Sequence, residues 1–405
     1  MSIKSAHWSP VRLELRSTRQ QKVNPMKSIK TTHVGSLPRP PQMIAKTLRK
    51  QAIAKEDFWR YLKAIMERQV QLGISYINNG EMPRLDYVNS TVSRISGFAE
   101  KGTAPIPRDL EELPELSSRF GGRNGLITLN PKAPVTLPAC SGPLSYTGEA
   151  SLREELDMMV AVYNELKPSY PESNAGLFFT APSPGTVALF LENKYYRNYG
   201  DYIEALGAVL KREYDIISSY GFHLQVDCPD LAMGRHTRFK NLSDNQFVAL
   251  IDTNIRVLNQ ALAAVDPAGC RVHICWGNYP GTHHCDIGLK SIFNHVVALN
   301  ARYISLEASN HRHAHEWTVF DELTFPEDKV LMPGVIDTSS NTVEHPDLVA
   351  QRISNFVKIL GPERVVASTD CGFATTASAT SVSGEVAWLK LASLVEGARR
   401  ASAKL

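Results

Sequence analysis

Two residues with metal-binding side chains lie two positions apart at the end of an apolar run. They are His273 and Cys275, in the segment Arg271-Val-His-Ile-Cys275. On a β-strand, residues i and i+2 point to the same face, so both side chains can reach one point. An imidazole and a thiolate are common zinc ligands, but such a pair alone is more often a buried histidine beside an unreactive cysteine.

Further donor side chains follow other apolar runs of the chain. Glu307 ends the run after His273, and Cys371 follows the last run, next to Asp370. One imidazole, two thiolates and one carboxylate suit tetrahedral Zn²⁺. If these runs are strands on one side of a barrel, we expect His273, Cys275, Glu307 and Cys371 to bind one zinc ion. Asp370 would then orient a ligand from behind.

The elements that must position these residues alternate regularly. Eight short apolar runs are separated by longer amphipathic segments, which predicts an α/β fold, specifically a (β/α)8 TIM barrel. The runs are residues 29–36, 74–81, 176–180, 222–227, 271–275, 303–307, 330–337 and 364–370, and the clearest helical segments are 56–72, 202–219, 244–265, 288–299 and 346–360. The alternative is an open doubly wound sheet, but the first run ends in His33-Val-Gly-Ser36 without a GxGxxG motif.

Two segments break this alternation. Residues 84–150 contain the alternating patch Leu126-Ile-Thr-Leu-Asn130, which predicts a β-hairpin excursion between strands 2 and 3. Residues 1–26 are basic and poor in acids, and we expect a disordered extension there; a transit peptide and an upstream start before Met26 are the alternatives. The remaining residues, 27–405, are expected to form a single catalytic domain.

Composition excludes several classes of partner. The 405 residues carry a formal net charge of only +3, without a basic run, so no nucleic-acid partner is expected. No apolar stretch is long enough to predict a transmembrane helix, so no membrane partner is expected either. Six cysteines in so long a chain predict a reducing, cytoplasmic environment. Self-association into a homo-oligomer is left open.

Polar residues also end the other predicted strands, where a TIM barrel places its active site. Glu81 and Asp227 end strands 2 and 4 and are a candidate pair for a substrate ammonium group. Arg84 and Arg235 follow these acids closely and would either neutralise them or bind an anionic substrate tail. Loop residues rich in histidine are expected to line the substrate entrance rather than to bind metal: His283, His284, Cys285, His311, His313 and His315.

Seven segments, taken together and in order, resemble a known family. They are Thr32-His-Val-Gly-Ser-Leu-Pro38, Asn79-Gly-Glu81, Leu224-Gln-Val-Asp-Cys-Pro229, His273-Ile-Cys-Trp-Gly-Asn278, Ser305-Leu-Glu307, Gly334-Val-Ile-Asp-Thr338 and Ser368-Thr-Asp-Cys-Gly372. Over about residues 29–400 the chain resembles the C-terminal catalytic barrel of cobalamin-independent methionine synthases. It is most similar to the single-barrel branch that includes epoxyalkane:coenzyme M transferases.

The resemblance implies roles for individual residues. The zinc ligands of the family fall on the predicted quartet, and its homocysteine contacts fall on Ser36, Glu81 and Asp227. It further implies that zinc makes a substrate thiol nucleophilic and that this thiol attacks the carbon of a methyl group or an epoxide. The expected partners are therefore a small-molecule thiol and an alkyl donor.

Three departures from the family bear on the alkyl donor. The synthases have a proton-transferring histidine after strand 7, where this chain has Asp337-Thr-Ser339, so Asp337 and Ser339 become catalytic candidates together with Asp227. The segment after strand 3 lacks the folate-stacking tryptophan, and the sequence has no counterpart of the N-terminal barrel. These departures argue against folate, not against thiol activation. Three functions stay open: methyl transfer to homocysteine or a similar thiol, an epoxyalkane:coenzyme M transferase-like activity, and a non-catalytic zinc-binding barrel.

Overall fold

Eight parallel strands form the centre of the computed structural model, which describes residues 28–49, 51, 53–84, 86–120, 126–376 and 381–405. We label them β1 (Lys30–Thr31), β2 (Tyr76–Ile77), β3 (Gly176–Pro182), β4 (His223–Asp227), β5 (Cys270–Ile274), β6 (Tyr303–Glu307), β7 (Val330–Ile336) and β8 (Val366–Thr369). Neighbours in the sheet follow the order β1-β8-β7-β6-β5-β4-β3-β2. The Ser75 N–H donates to the Thr31 carbonyl at 3.0 Å, which links β2 back to β1. The predicted TIM barrel is confirmed, and the predicted extension at 1–26 lies outside the described residues.

Helices lie between the strands, and some of them begin at a side-chain cap. Asn198 caps one long helix by accepting from the Asp201 N–H, and Ser243 and Gln246 form a capping box at the next. The helices are Pro41–Leu48, Lys55–Leu72, Tyr87–Arg94, Arg108–Glu112, Pro114–Ser117, Glu149–Leu166, Pro184–Phe190, Tyr199–Ser219, Asp244–Ala261, Leu289–Val296, Val319–Glu322, Pro346–Leu360 and Gly384–Ser402. Across the described residues, no helix combines the length and apolar character needed to cross a bilayer.

The barrel strands are buried on both faces because helices cover their outer side. All five residues of β5 and all seven of β7 are buried. Apolar residues such as Val272 and Ile274 alternate along β5 with His273 and Arg271, whose polar side chains are also buried. A buried polar side chain costs free energy unless it has a partner, so the polar positions on these strands point to a built site.

The excursion between β2 and β3 contains two antiparallel strand pairs, one of which is extended by the parallel strand Glu192–Asn193 that follows β3. Glu100–Thr103 pairs with Thr136–Cys140, and Ile95–Ser96 pairs with Ser145–Tyr146. The predicted excursion is therefore confirmed, but the patch 126–130 is not one of its strands. Residues 126–129 are all buried, so the sequence alternation there does not separate a core face from a solvent face.

Candidate metal centre

Three metal-binding side chains converge at the carboxyl end of the barrel. His273 lies on β5, Cys275 follows that strand, and Cys371 follows β8. One donor atom from each lies within 4.8 Å of the other two, and the two sulfur atoms are 3.8 Å apart. All three side chains are buried. We call these residues the thiol-donor group.

The donors of this group fit a zinc ion. Nε2 of His273 is buried and has no hydrogen-bond partner among the described residues, while Nδ1 lies 3.4 Å from the Ser305 hydroxyl. A buried nitrogen without a partner costs free energy that a metal–nitrogen bond would offset. Two thiolates beside one imidazole are the donor types of tetrahedral zinc sites.

The two cysteines differ in acidity. A hydrogen bond from Cys275 and the nearby His273 lower the pKa of Cys371 to about 6. The pKa of Cys275 is raised well above its usual value, first by its hydrogen bond with Cys371 and then by burial. The Gly277 N–H donates to the Cys275 sulfur at 3.2 Å, which supports negative charge on that atom. One thiolate is thus prepared by the protein, and metal binding would release the second proton.

The fourth predicted ligand, Glu307, has different partners. Its Oε1 accepts from the Trp276 N–H at 2.9 Å, and its Oε2 accepts from Asn310 Nδ2 at 2.6 Å and Arg312 Nη2 at 2.7 Å. Burial alone would raise the pKa of Glu307, but Arg312 and other neighbours outweigh burial and lower it. Glu307 is therefore charged and held by an ion pair with Arg312, and it is not among the donors that lie within 4.8 Å of one another.

Asp370 organises the loop behind Glu307. Its Oδ1 accepts from the N–H groups of Ala308 and Ser309, and its Oδ2 accepts from the Asn310 N–H and side-chain amide. Because Asn310 Nδ2 contacts both carboxylates, it links Asp370 to Glu307. Burial and the charge of Glu307 raise the pKa of Asp370 to about 7. These contacts fix the position of Asn310 behind Glu307, and the role of Asp370 in orienting a metal ligand stays a prediction.

Glu81 has a strained backbone and close neighbours. Its φ of 56° lies in the left-handed region, which non-glycine residues rarely adopt and which is concentrated at functional sites. Its Oε1 accepts from the Thr180 hydroxyl at 2.8 Å, and that hydroxyl accepts from Arg84 Nη1 at 2.6 Å. A Cβ on Gly35 would lie 2.6 Å from the Glu81 carboxylate, so only glycine fits there. Arg84 thus acts on Glu81 through Thr180.

Ser36 and Asp227 are positioned by neighbouring loops. A Cβ on Gly372 would lie 2.0 Å from the Ser36 hydroxyl oxygen, which explains the glycine directly after Cys371. Gln225 Nε2 donates to Asp227 Oδ1 at 2.9 Å and also to the Val34 carbonyl. Asp227 is therefore tied to the segment that carries Ser36, and it pairs in register with His273 across β4 and β5.

A pocket opens directly onto the thiol-donor group. Asp227, His273, Cys275 and Cys371 contribute to its lining. The rest of the lining is mainly apolar or weakly polar: Leu126, Ile127, Phe190, Pro229, Met233, Gly277, Asn278, Tyr279, Thr375 and Thr376. Leu126 and Ile127 belong to the excursion, so this insertion forms part of the wall. The pocket combines a polar floor with apolar sides, as small-molecule sites commonly do.

Several candidate residues lie away from this pocket. Arg235 donates to Asp244 at 2.7 Å, and Asp337 accepts from the N–H and hydroxyl of the exposed Ser339. None of the loop residues expected to line the entrance contributes to the pocket lining. Of these, His284, His311 and His315 are exposed, Cys285 is half-buried, and His283 and His313 are buried elsewhere.

Sequence reasoning missed Arg312 and Asn310, which hold Glu307. A usable signal existed, because a carboxylate on a buried barrel strand needs a nearby cation or donor. Both residues follow Glu307 within five positions.

The sequence also matches a known family. Residues 196–396 match the family described as "Cobalamin-independent synthase, Catalytic domain", a range that contains all four predicted zinc ligands. Together with the barrel and the site above, this match identifies the cobalamin-independent synthase catalytic barrels as the family that the chain resembles.

Individual relatives span nearly the whole chain. A methionine synthase of Saccharolobus solfataricus is 25% identical over 377 residues, which cover 91% of this chain and 93% of the relative. A methionine synthase of Sulfolobus acidocaldarius is 23% identical over 350 residues, which cover 84% and 85%. A B12-independent methionine synthase from Shewanella sp. W3-18-1, solved with selenomethionine, has a TM-score of 0.69 at 19% identity and covers 93% of this chain and 98% of its own. The Shewanella protein shares the fold.

Proposed function

We propose that this chain is a zinc-dependent methyltransferase that transfers a methyl group to homocysteine or a closely similar thiol. The observation that carries the proposal is the thiol-donor group at the floor of a pocket that also contains Asp227. Its relatives named methionine synthase support the methyl-transfer part. Residues 27–405 are proposed to act as one catalytic unit.

His273, Cys275 and Cys371 would hold the zinc ion, with Glu307 as the fourth ligand. Bound zinc would lower the pKa of a substrate thiol so that its thiolate forms near neutral pH. The protein contributes a charged Glu307 carboxylate whose position is set by Arg312 and Asn310. The anionic donor set would keep the sulfur rich in electrons and nucleophilic.

The acids near the pocket favour a thiol that carries an amino group. Asp227 lines the pocket, and Glu81 is tied to the Gly35–Ser36 segment, which contacts Gly372 beside Cys371. The two arginines that are candidates for binding an anionic tail have other contacts: Arg235 pairs with Asp244, and Arg84 donates to Thr180. We therefore propose that Asp227, Glu81 and Ser36 bind the amino-acid end of the thiol.

The pocket walls would receive the methyl donor. Ile127, Phe190 and Met233 provide apolar surface that excludes water from the reacting sulfur.

Asp337 and Ser339 remain our candidates for proton transfer, because the Ser339 hydroxyl donates to Asp337 at 2.6 Å at the end of β7. A Ser339→Ala variant with unchanged kcat at every pH would remove this pair from the mechanism.

A series of thiols tests the proposal. We would measure methylation of homocysteine, 4-mercaptobutyrate and 2-mercaptoethanesulfonate by the wild type and by Asp227→Asn. The proposal predicts that the wild type prefers homocysteine and that Asp227→Asn raises KM for homocysteine but not for 4-mercaptobutyrate, which lacks the amino group. Preference for the sulfonate with an epoxide as the alkyl donor would instead establish the transferase alternative. Alkylation of no thiol would indicate a non-catalytic barrel.

A further inference from the structure

A second buried cluster lies on neighbouring loops of the same barrel end. It consists of His236, His283, His313 and Asp286, and we call it the imidazole cluster. His236 ends a short 3-10 helix after β4, His283 and Asp286 lie in the loop after β5, and His313 lies in the loop after β6. Three successive loops therefore meet at one carboxylate. None of these four residues lines the pocket of the thiol-donor group.

Asp286 is the centre of the cluster. Its Oδ1 lies 3.1 Å from Nδ1 of His236. Its Oδ2 lies 3.1 Å from Nδ1 of His283 and 3.1 Å from Nε2 of His313. The imidazoles are buried, and the Asp286 side chain is 6% exposed, so water cannot readily separate these charges.

His313 is fully explained as a charged partner. Its two ring nitrogens both face carboxylates, Asp286 on one side and Glu316 at 2.8 Å on the other. Burial would lower the pKa of His313, but the two carboxylates raise it to about 9. His313 is thus an imidazolium that donates to both acids. It offers no lone pair to a metal.

Both ring nitrogens of His283 face acceptor oxygens, so a proton or a metal cation must lie between Nδ1 and Asp286. Its Nε2 lies 3.1 Å from the Tyr279 carbonyl, which can only accept, so Nε2 carries a proton. In a neutral ring, Nδ1 would then direct its lone pair at the Asp286 carboxylate. The backbone at His283 is also strained, with a φ of 57°, and its N–H is fixed by Asp109 Oδ2 at 2.8 Å. The ring is held in this position.

His236 shows the same proximity without a hydrogen bond. Burial is the main reason that the pKa of His236 falls to about 4, so the ring is neutral. Its Nδ1 is close to Asp286 but not aligned as a donor, and Nε2 has no hydrogen-bond partner within the described part of the chain. Ligand atoms around one metal ion lie roughly 3 to 3.5 Å apart when metal–ligand bonds are about 2.0–2.2 Å long. The distances from His236 Nδ1 and His283 Nδ1 to the Asp286 oxygens, 3.1 Å each, fall in this range.

We propose that His236, His283 and Asp286 bind one divalent first-row transition-metal ion, separate from the thiol-donor group. One donor atom from each of the three lies within 4.8 Å of the others. Two imidazoles and one carboxylate suit Zn²⁺, Co²⁺ or Ni²⁺, whereas Mg²⁺ and Ca²⁺ prefer oxygen donors only. The ion would fasten the loop after β4 to the loop after β5, which supply Met233 and Tyr279 to the pocket wall.

Titration of the metal-free full-length chain with Co²⁺ tests this proposal. Thiolate ligands give cobalt a sulfur-to-metal charge-transfer absorption, which imidazole and carboxylate ligands do not. We expect two equivalents to bind, one with this absorption and one without it. Binding of a single equivalent, or of a second that also shows the sulfur band, would overturn the second site.

Two variants and one control assign the equivalents. His236→Gln breaks no hydrogen bond among the described residues and should lose only the equivalent without the sulfur band. Cys371→Ser should keep that equivalent, so the result does not depend on the proposed function. His284→Ala changes an exposed neighbour that bonds Glu112, and it should keep both equivalents. Retention of two equivalents by His236→Gln, or loss of the sulfur-free one in Cys371→Ser, would contradict the proposal.

Discussion

The thiol-donor group and the imidazole cluster are both buried at the carboxyl end of one barrel, yet they are built differently. The residues of the thiol-donor group lie on or directly after strands, and they line the pocket. The imidazoles lie on loops and surround a carboxylate that does not reach the pocket. Strands fix the direction of a side chain through their alternation, whereas loops fix it only through contacts with each other. The proposed function and the proposed second site together assign chemistry to the first region and positioning to the second.

Loss of a thiol donor should have the largest effect. Cys371→Ser is expected to lose zinc from the thiol-donor group and to lower kcat/KM by more than about 100-fold, since even groups behind a ligand contribute about 10- to 100-fold. Metal analysis and methylation assays check this. Cys285→Ser, in the half-buried loop position, is the matched control and should retain both properties. Full zinc and full activity in Cys371→Ser would refute the assignment.

The second-largest effect is expected at Asn310, which holds the Glu307 and Asp370 carboxylates. Asn310→Ala removes the amide that bonds both Glu307 and Asp370, so zinc affinity should fall by about 10- to 100-fold. Competition with a zinc chelator measures this. Asn300→Ala, at an exposed position shortly before β6, serves as the control. An unchanged affinity would mean that Glu307 does not contribute to the metal site.

The imidazole cluster should affect activity less than it affects metal content. We expect His236→Gln to lower kcat/KM by less than about tenfold, below the range typical of groups behind a catalytic ligand. The assay compares the activities of His236→Gln, Cys371→Ser and the wild type, each supplied with one zinc ion per chain. If His236→Gln lost as much activity as Cys371→Ser, the division between chemistry and positioning would be wrong.

The glycine beside Cys371 should respond to a single added carbon. Gly372→Ala places a Cβ 2.0 Å from the Ser36 hydroxyl oxygen, and overpacking of this kind costs about 1–3 kcal/mol of unfolding free energy. Denaturant unfolding measures the loss. Gly269→Ala is the control, because its Cβ would meet nothing within 4 Å. Equal free energies of unfolding for Gly372→Ala and Gly269→Ala would show that the Ser36 segment can move aside to accommodate the added Cβ.

Arg235 should matter least among the candidates. It pairs with an exposed carboxylate, and such surface ion pairs contribute about 0–1 kcal/mol. Arg235→Ala should therefore leave KM for the thiol within about twofold of the wild type, whereas Arg84→Ala should raise it through Thr180 and Glu81. A large KM change in Arg235→Ala would return this residue to the substrate site.

Sequence patterns predicted the strand-borne parts of the molecule well. Each of the eight runs overlaps one of the barrel strands. His273, Cys275 and Cys371 lie close together because strand alternation and barrel closure direct their side chains to the same place. The alternating patch at residues 126–130 lies within the predicted excursion but outside its paired strands, because a buried loop can alternate in composition without alternating in exposure. The partners of Glu307 and the imidazole cluster depend on loop conformations, including the left-handed backbone of His283. Periodicity carries no information about such contacts.

X-ray absorption at the zinc edge tests the central claim most directly, on protein loaded with one zinc per chain. Spectra are recorded for the protein without a thiol, with homocysteine and with 2-mercaptoethanesulfonate. Thiol activation at the thiol-donor group predicts one additional zinc–sulfur bond of about 2.3 Å with homocysteine. An unchanged number of sulfur ligands with every thiol would contradict it.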